Sequence, residues 1–166
     1  MFSRLVIIAL LVGTGAAHAA PLEYTTTTGL VVTVDVPATW SEVGPRNGHM
    51  LRLHNAAYAQ DPAAQPNGVL MHDPAPGSAE ITIVFDTPAG LAERLATDFP
   101  DRSPTTIGRH QGEEAERTFG TGEHIMREYL TVDGVGVMAT LTEWGGADDA
   151  REIFRRTCAS LAVMNK

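Results

Sequence analysis

Histidine and carboxylate side chains lie close together in the first half of the chain, where they could bind a metal ion. His49, His54 and His72, followed by Asp73, offer the imidazole and carboxylate ligands that suit zinc or copper. Their spacing matches none of the His-x-His, His-x-x-x-His and His-Glu-x-x-His patterns that place two histidines on one ion. Histidines scattered over polar loops account for the pattern better than a metal site, and we predict no cofactor.

Nucleophilic catalysis has little support in the sequence. No Gly-x-Ser-x-Gly elbow occurs, and this motif is what exposes a nucleophilic serine at a strand-to-helix turn. The one cysteine, Cys158, lies on the apolar stripe of the last predicted helix, where burial disfavours the thiolate. We therefore predict that Cys158 is a structural residue. The stretch Gly134-Val135-Gly136-Val137 lies in a predicted strand and precedes no helix, so it cannot cradle a phosphate group.

Acidic residues gather in the second half of the chain. Glu113, Glu114 and Glu116 follow one another closely, and Glu128 and Glu143 flank the clearest predicted hairpin. General acid–base catalysis needs a carboxyl group whose pKa is shifted by burial in a cleft, and the sequence indicates no such cleft. We expect a solvated strand face with cross-strand arginine–glutamate pairs. The sequence therefore predicts a protein without enzymatic activity.

Tyr58 is the aromatic residue that we expect to contact a partner. It lies in a proline-rich loop at 55–78, where burial does not explain a large aromatic side chain, and tyrosine is enriched at interface hot spots. The acidic residues Asp61 and Asp73 of the same loop extend the predicted contact surface. Trp40 is expected to be structural, because a tryptophan at the end of a strand buries a large area.

The elements that position these residues can be predicted from local patterns. Residues 30–36 alternate apolar side chains with others, which predicts a strand, and Pro37 ends it because proline has no N–H for the ladder. Residues 79–86 are apolar on nearly both faces, which predicts a central strand. Asp133-Gly134 joins two alternating segments and predicts a hairpin with a type I′ turn.

Two helices are predicted in the second half of the chain. Thr87-Pro88 supplies an N-cap followed by a proline at the first helical position. Leu91, Leu95 and Phe99 then fall on one stripe. A second apolar stripe runs from Ala150 to Leu161 with helical spacing and predicts a long C-terminal helix packed on the sheet.

The first 19 residues have the layout of a secretory signal peptide. A single arginine precedes an apolar run, and Ala17-His18-Ala19 follows as a cleavage site. We expect cleavage after Ala19, which leaves residues 20–166 as a single domain in the periplasm or secreted. No second apolar run follows, so the sequence does not predict a membrane anchor. The formal net charge of −8 argues against nucleic acid as a partner and suits a basic one.

The segment Val34-Asp35-Val36-Pro37-Ala38-Thr39-Trp40, together with the predicted element order, resembles the PsbP-like superfamily (Mog1/PsbP/DcrB-like domains). The resemblance implies an antiparallel sheet with helices packed on its faces. The predicted fold class is therefore α+β, an α/β sandwich in which a mainly antiparallel sheet is flanked by helices and a long C-terminal helix packs on the sheet.

The same resemblance implies a function in binding, assembly or chaperoning, since members of this superfamily share no known catalytic site. We expect a non-enzymatic module that contacts a protein partner, in one version an immunity-type protein that neutralises a basic exported partner. The alternative is a periplasmic carrier of a small molecule or metal, using the histidines around His54.

Overall fold

A computed structural model describes residues 21–43, 50–60, 72–87, 89–93, 99, 101–120 and 122–165. Within these residues the strands are β1 (Pro21–Thr25), β2 (Leu30–Asp35), β3 (Trp40–Glu42), β4 (Met50–Asn55), β5 (Ser78–Asp86), β6 (Ser103–Ile107), β7 (His110–Thr118), β8 (Glu123–Val132), β9 (Val135–Trp144) and β10 (Ala162–Asn165). The helices are α1 (Ala56–Gln60), α2 (residues 89–93) and α3 (Ala150–Ser160). None of the helices in these ranges is long and apolar enough to cross a membrane.

The strands form two sheets in which all neighbours are antiparallel. The larger sheet has the order β3-β4-β5-β9-β8-β7-β6, and the smaller has the order β1-β2-β10. The smaller sheet and α3 cover one face of the larger sheet, which we call the inner face. The core between them contains Val32 and Val34 of β2, Phe154 and Cys158 of α3, and Ile81 of β5.

The predicted α/β sandwich with flanking helices and a long C-terminal helix is wrong. The last helix has 11 residues, and Leu161 leaves the helix with φ −56° and ψ 131°. The chain then continues as β10, which pairs with the free edge of β2, with Val163 opposite Val32. This pairing satisfies backbone groups at an edge of β2 that would otherwise be open. The inner face is therefore covered largely by a second sheet.

The predicted hairpin around Asp133-Gly134 is confirmed. β8 and β9 pair along their whole length, and Asp133 and Gly134 have φ values of 50° and 84°, as the two central residues of a type I′ turn require. The Asp133 carboxylate also accepts a hydrogen bond of 3.0 Å from the backbone N–H of Val163. The turn thereby holds β10 beside it.

The predicted start of a helix at Thr87 is also confirmed. The Thr87 hydroxyl accepts a hydrogen bond of 3.1 Å from the backbone N–H of Gly90, as expected for an N-cap side chain. Leu91 and Phe99 are buried against Ala115 and Tyr129, on the face of the larger sheet opposite to the inner face. We call this second face the outer face.

Pro37 and Trp40 lie at the end of β2, where the sequence predicts structural residues. The Pro37 carbonyl accepts a hydrogen bond of 2.9 Å from the backbone N–H of Trp40. The Trp40 side chain is 7% exposed and belongs to the main core.

Candidate functional site

An open groove lies between α3 and the inner face of β7 and β8. Its lining side chains, which define what we call the α3 groove, are those of Glu116, Met126, Arg151, Glu152 and Arg155, and its volume is about 390 Å³. Met126 is buried, whereas the four charged side chains reach solvent. The groove therefore combines an apolar floor with a charged rim.

Strand register and helix spacing bring these residues together. Glu116 of β7 lies opposite Met126 of β8, and Glu114 lies opposite Glu128, so all four side chains share the inner face. Arg151 and Arg155 are four residues apart on α3 and reach the same side of the helix. The expected solvated face with arginine–glutamate pairs holds in part, because Glu116 is exposed and Glu114 is half-buried, but their arginine partners come from α3 and not from a neighbouring strand.

His124 connects the groove to the end of β9. Its Nε2 lies 2.6 Å from Oε1 of Glu116, and its Nδ1 lies 3.0 Å from Oε1 of Glu143. Both contacts are hydrogen bonds only when both ring nitrogens carry protons, because a carboxylate can only accept. Both nitrogens of the ring therefore contact carboxylates, and Nη2 of Arg151 lies 3.0 Å from Nε2.

Arg151 completes this charged cluster. Its Nη2 lies 2.7 Å from Oε1 of Glu116, and its Nε lies 3.5 Å from Oε1 of Glu143. Burial acts to raise the pKa of Glu116, but the hydrogen bond from His124 and the positive charge of Arg151 outweigh burial and lower that pKa. The Glu116 carboxylate is therefore held in its charged form.

Glu128 is the one acidic side chain of the described residues that is completely buried. Its exposed fraction is 0%, and its pKa is raised to about 8, first by burial and then by the neighbouring Glu114 carboxylate. Arg155, whose Nη2 lies 2.9 Å from Oε2 of Glu114, acts in the opposite direction. The sequence predicts no role for Glu128 beyond its place beside the hairpin. Its alternation with Met126 and Leu130 could have indicated an inward side chain.

A second cluster lies on the outer face and contains two of the predicted site residues. His54 Nε2 and Arg52 Nη2 lie 2.7 Å and 2.6 Å from Oε2 of Glu80. Burial acts to raise the pKa of Glu80, but hydrogen bonds from His54 and Arg52 lower it to about 2. The Tyr58 ring packs on the His54 ring with centroids 4.2 Å apart, and on the Trp144 ring with centroids 5.5 Å apart.

Tyr58 is buried and is not an exposed loop residue. It lies in α1 with 1% of its surface exposed. The Asn55 side chain accepts hydrogen bonds from the backbone N–H groups of Tyr58 and Ala79, at 3.0 and 3.1 Å, which fixes α1 against β5. Burial, followed by the charge of Glu80, raises the pKa of Tyr58. The reason for expecting Tyr58 at a partner interface therefore does not apply.

Those of the remaining predicted residues that the structure describes are not brought together. His72 and Asp73 are exposed, and His72 Nδ1 lies 2.9 Å from the Asp73 carbonyl, whereas His54 is buried. His49 and Asp61 lie outside the described residues. In the ranges that the structure describes, no group of three or more histidine, cysteine, aspartate and glutamate side chains is arranged to hold a metal ion.

Cys158 is buried in α3 as a free thiol. Burial, together with the nearby Glu128 carboxyl group, raises the pKa of Cys158. The thiol is therefore held in its neutral, unreactive form.

Comparison with solved structures shows the fold. No family model matches the sequence, and no curated protein matches it. A crystal structure from Bacteroides thetaiotaomicron VPI-5482, solved at 1.50 Å resolution, is similar with a TM-score of 0.53 and 13% sequence identity. The match covers 81% of this chain and 46% of that one, so this chain spans about half the length of that protein. The resemblance to PsbP-like domains stays a prediction.

Proposed function

We propose that this protein is an exported, non-enzymatic binding module that holds a basic segment of a protein partner in the α3 groove. The observation that carries the proposal is the combination of the buried Met126 floor with exposed carboxylates at the rim. Glu152 stands on the rim with 66% of its side chain exposed, and Glu116 with 46%.

This geometry suits a lysine or arginine side chain of the partner. The aliphatic stem of such a side chain packs on apolar surface while its charged end stays near solvent. In the α3 groove the stem would lie on Met126 and the cation would meet Glu116 or Glu152. The lining residues carry balanced charges, with Glu116 and Glu152 against Arg151 and Arg155. A basic partner is favoured by the formal net charge of −8 of the whole chain and by the exposure of the Glu152 carboxylate.

Two further observations favour binding over catalysis. Both ring nitrogens of His124 already contact carboxylates, so the ring would have to give up one of them before it could exchange a proton with a substrate. The Cys158 thiol is buried. An acidic protein exported to the periplasm or beyond, with a chaperone-like or immunity-type role, fits these features.

Site-specific photo-cross-linking tests the proposal. A photoreactive amino acid is placed at Glu152, and in a control protein at Glu23, an exposed glutamate of β1. Both proteins are then irradiated in native envelope extract. We expect one basic protein to cross-link at position 152 and not at position 23. The same products at both positions, or none at position 152, would contradict the proposal.

A further inference from the structure

Glu128 lies beneath α3 in an environment that does not suit a charged carboxyl group. On its inner-face row, Glu114 of β7 lies on one side and Ala139 of β9 on the other. From α3, the groups that act on it are the Arg155 guanidinium and the Cys158 thiol. Of these neighbours only Arg155 is positively charged, and it is bound to Glu114 at 2.9 Å.

Neither carboxyl oxygen of Glu128 accepts a hydrogen bond from a donor among the described residues, and its nearest polar neighbour, Glu114, can share a hydrogen bond with it only when one of the two carboxyl groups is protonated. A buried carboxylate without hydrogen bonds is strongly disfavoured relative to the neutral acid. The neutral acid still lies beside the negative charge of Glu114, and its single proton removes the repulsion that the two carboxylates would otherwise exert on each other. The position of α3 over the inner face of the larger sheet therefore favours a protonated Glu128.

We propose that α3 is a proton-linked cover, whose detachment from the core between β2 and the larger sheet is coupled to the release of the Glu128 proton to solvent. While α3 is in place, the carboxyl group is buried and neutral. When α3 moves away, water reaches the carboxyl group, which then ionises as an ordinary glutamate. This coupling does not require a partner in the α3 groove.

The direction of the pH dependence follows from the two states. The pKa of Glu128 is about 8 with α3 in place and 4.5 for a solvated glutamate. Between these values the detached state has lost the proton and the covered state has kept it, so higher pH favours detachment. The population of the detached state is expected to rise by up to about tenfold per pH unit from about pH 5 to pH 8, and to level off above that.

Hydrogen exchange of the α3 amides measures this population directly. After correction for the intrinsic pH dependence of exchange, the protection of residues 150–160 in the full chain should fall steadily between about pH 5 and pH 8. In Glu128→Gln, which mimics the neutral acid, protection should be nearly independent of pH. Glu23→Gln removes an exposed glutamate of β1, outside the α3 groove; it should behave like the wild type and serves as the control. Equal pH dependence in Glu128→Gln and the wild type would overturn the proposal.

A second measurement on the wild-type protein covers the case in which Glu128→Gln fails to fold. The side-chain carboxyl carbon of Glu128 can be followed by NMR over the same pH range. Titration well above the ordinary range of glutamate would support the proposal. A midpoint near 4.5, the value for a solvated glutamate, would overturn it.

Discussion

Arg151 of α3 contacts Glu116 of β7 with Nη2 and Oε1 only 2.7 Å apart. The same guanidinium group lies 3.5 Å from Glu143 of β9, so one side chain of the first helical turn joins α3 to two strands that are not neighbours in the sheet. Because His124 lies between these two glutamates, the helix, both strands and the edge of the groove form one connected set of charges.

Arg151→Ala should lower the free energy of unfolding by about 1 kcal/mol, because the two glutamates lose a shared cation. The effect is limited because the Arg151 side chain is about half exposed, and solvent screens its charge. Arg156→Ala is the matched control, since Arg156 pairs only with Glu152 one turn away on the surface of α3, and such pairs contribute about 0.5 kcal/mol or less. Urea denaturation of both variants measures the difference. Equal losses would show that Arg151 does not join α3 to the sheet.

Glu80→Gln should remove most of the loss of stability at low pH that is due to the cluster on the outer face. The pKa of Glu80 is about 2 in the folded protein, compared with 4.5 for a solvated glutamate. The charged carboxylate therefore stabilises the fold fully above pH 4.5, and this contribution is lost as the pH falls towards 2. The contribution at neutral pH is roughly 3 kcal/mol.

Thermal unfolding of the wild type and Glu80→Gln across this pH range tests that assignment. The two proteins should differ most above about pH 5 and converge near pH 2. A difference that is independent of pH would mean that Glu80 is not held as a charged partner of His54 and Arg52.

Tyr58→Ala should destabilise the protein by about 3–5 kcal/mol, because a fully buried aromatic ring is lost and a cavity remains. Tyr58→Phe keeps the ring packed between His54 and Trp144 and should lower the free energy of unfolding much less. Denaturant unfolding compares the two variants. If Tyr58→Ala changed stability by less than about 0.5 kcal/mol, as is usual for exposed positions, the burial of Tyr58 in α1 would be wrong.

Cys158 should resist thiol reagents in the native protein and react fully once the chain is unfolded. Burial prevents access and raises the pKa of Cys158, so little thiolate forms near neutral pH. Labelling with a chromogenic disulfide in buffer and in concentrated urea checks this. Rapid labelling in buffer would place the thiol at the surface.

The sequence predicts those parts of the fold that depend on neighbours along the chain. Asp133-Gly134 is sufficient to predict the β8–β9 hairpin, because a type I′ turn needs two residues that accept positive φ. Thr87 is sufficient to predict the start of α2, because an N-cap acts within one turn.

Features that depend on distant residues could not be predicted in this way. The pairing of Val163 with Val32 joins the end of the chain to its beginning, and no local pattern distinguishes β10 from a continuation of α3. The burial of Tyr58 similarly depends on Trp144 of β9. Glu128 is an intermediate case, because strand alternation indicates its inward direction but not the helix that covers it.

The central claim is that a basic partner binds in the α3 groove, and a dissociation constant tests it most directly. The measurement is the dissociation constant between the purified protein and the protein that cross-links at position 152, compared for the wild type, Glu152→Lys and Glu23→Lys. Charge reversal at the groove should weaken binding at least about tenfold, equivalent to 1.4 kcal/mol, while the same reversal on β1 should leave it almost unchanged. Equal affinities for the two variants would contradict the account.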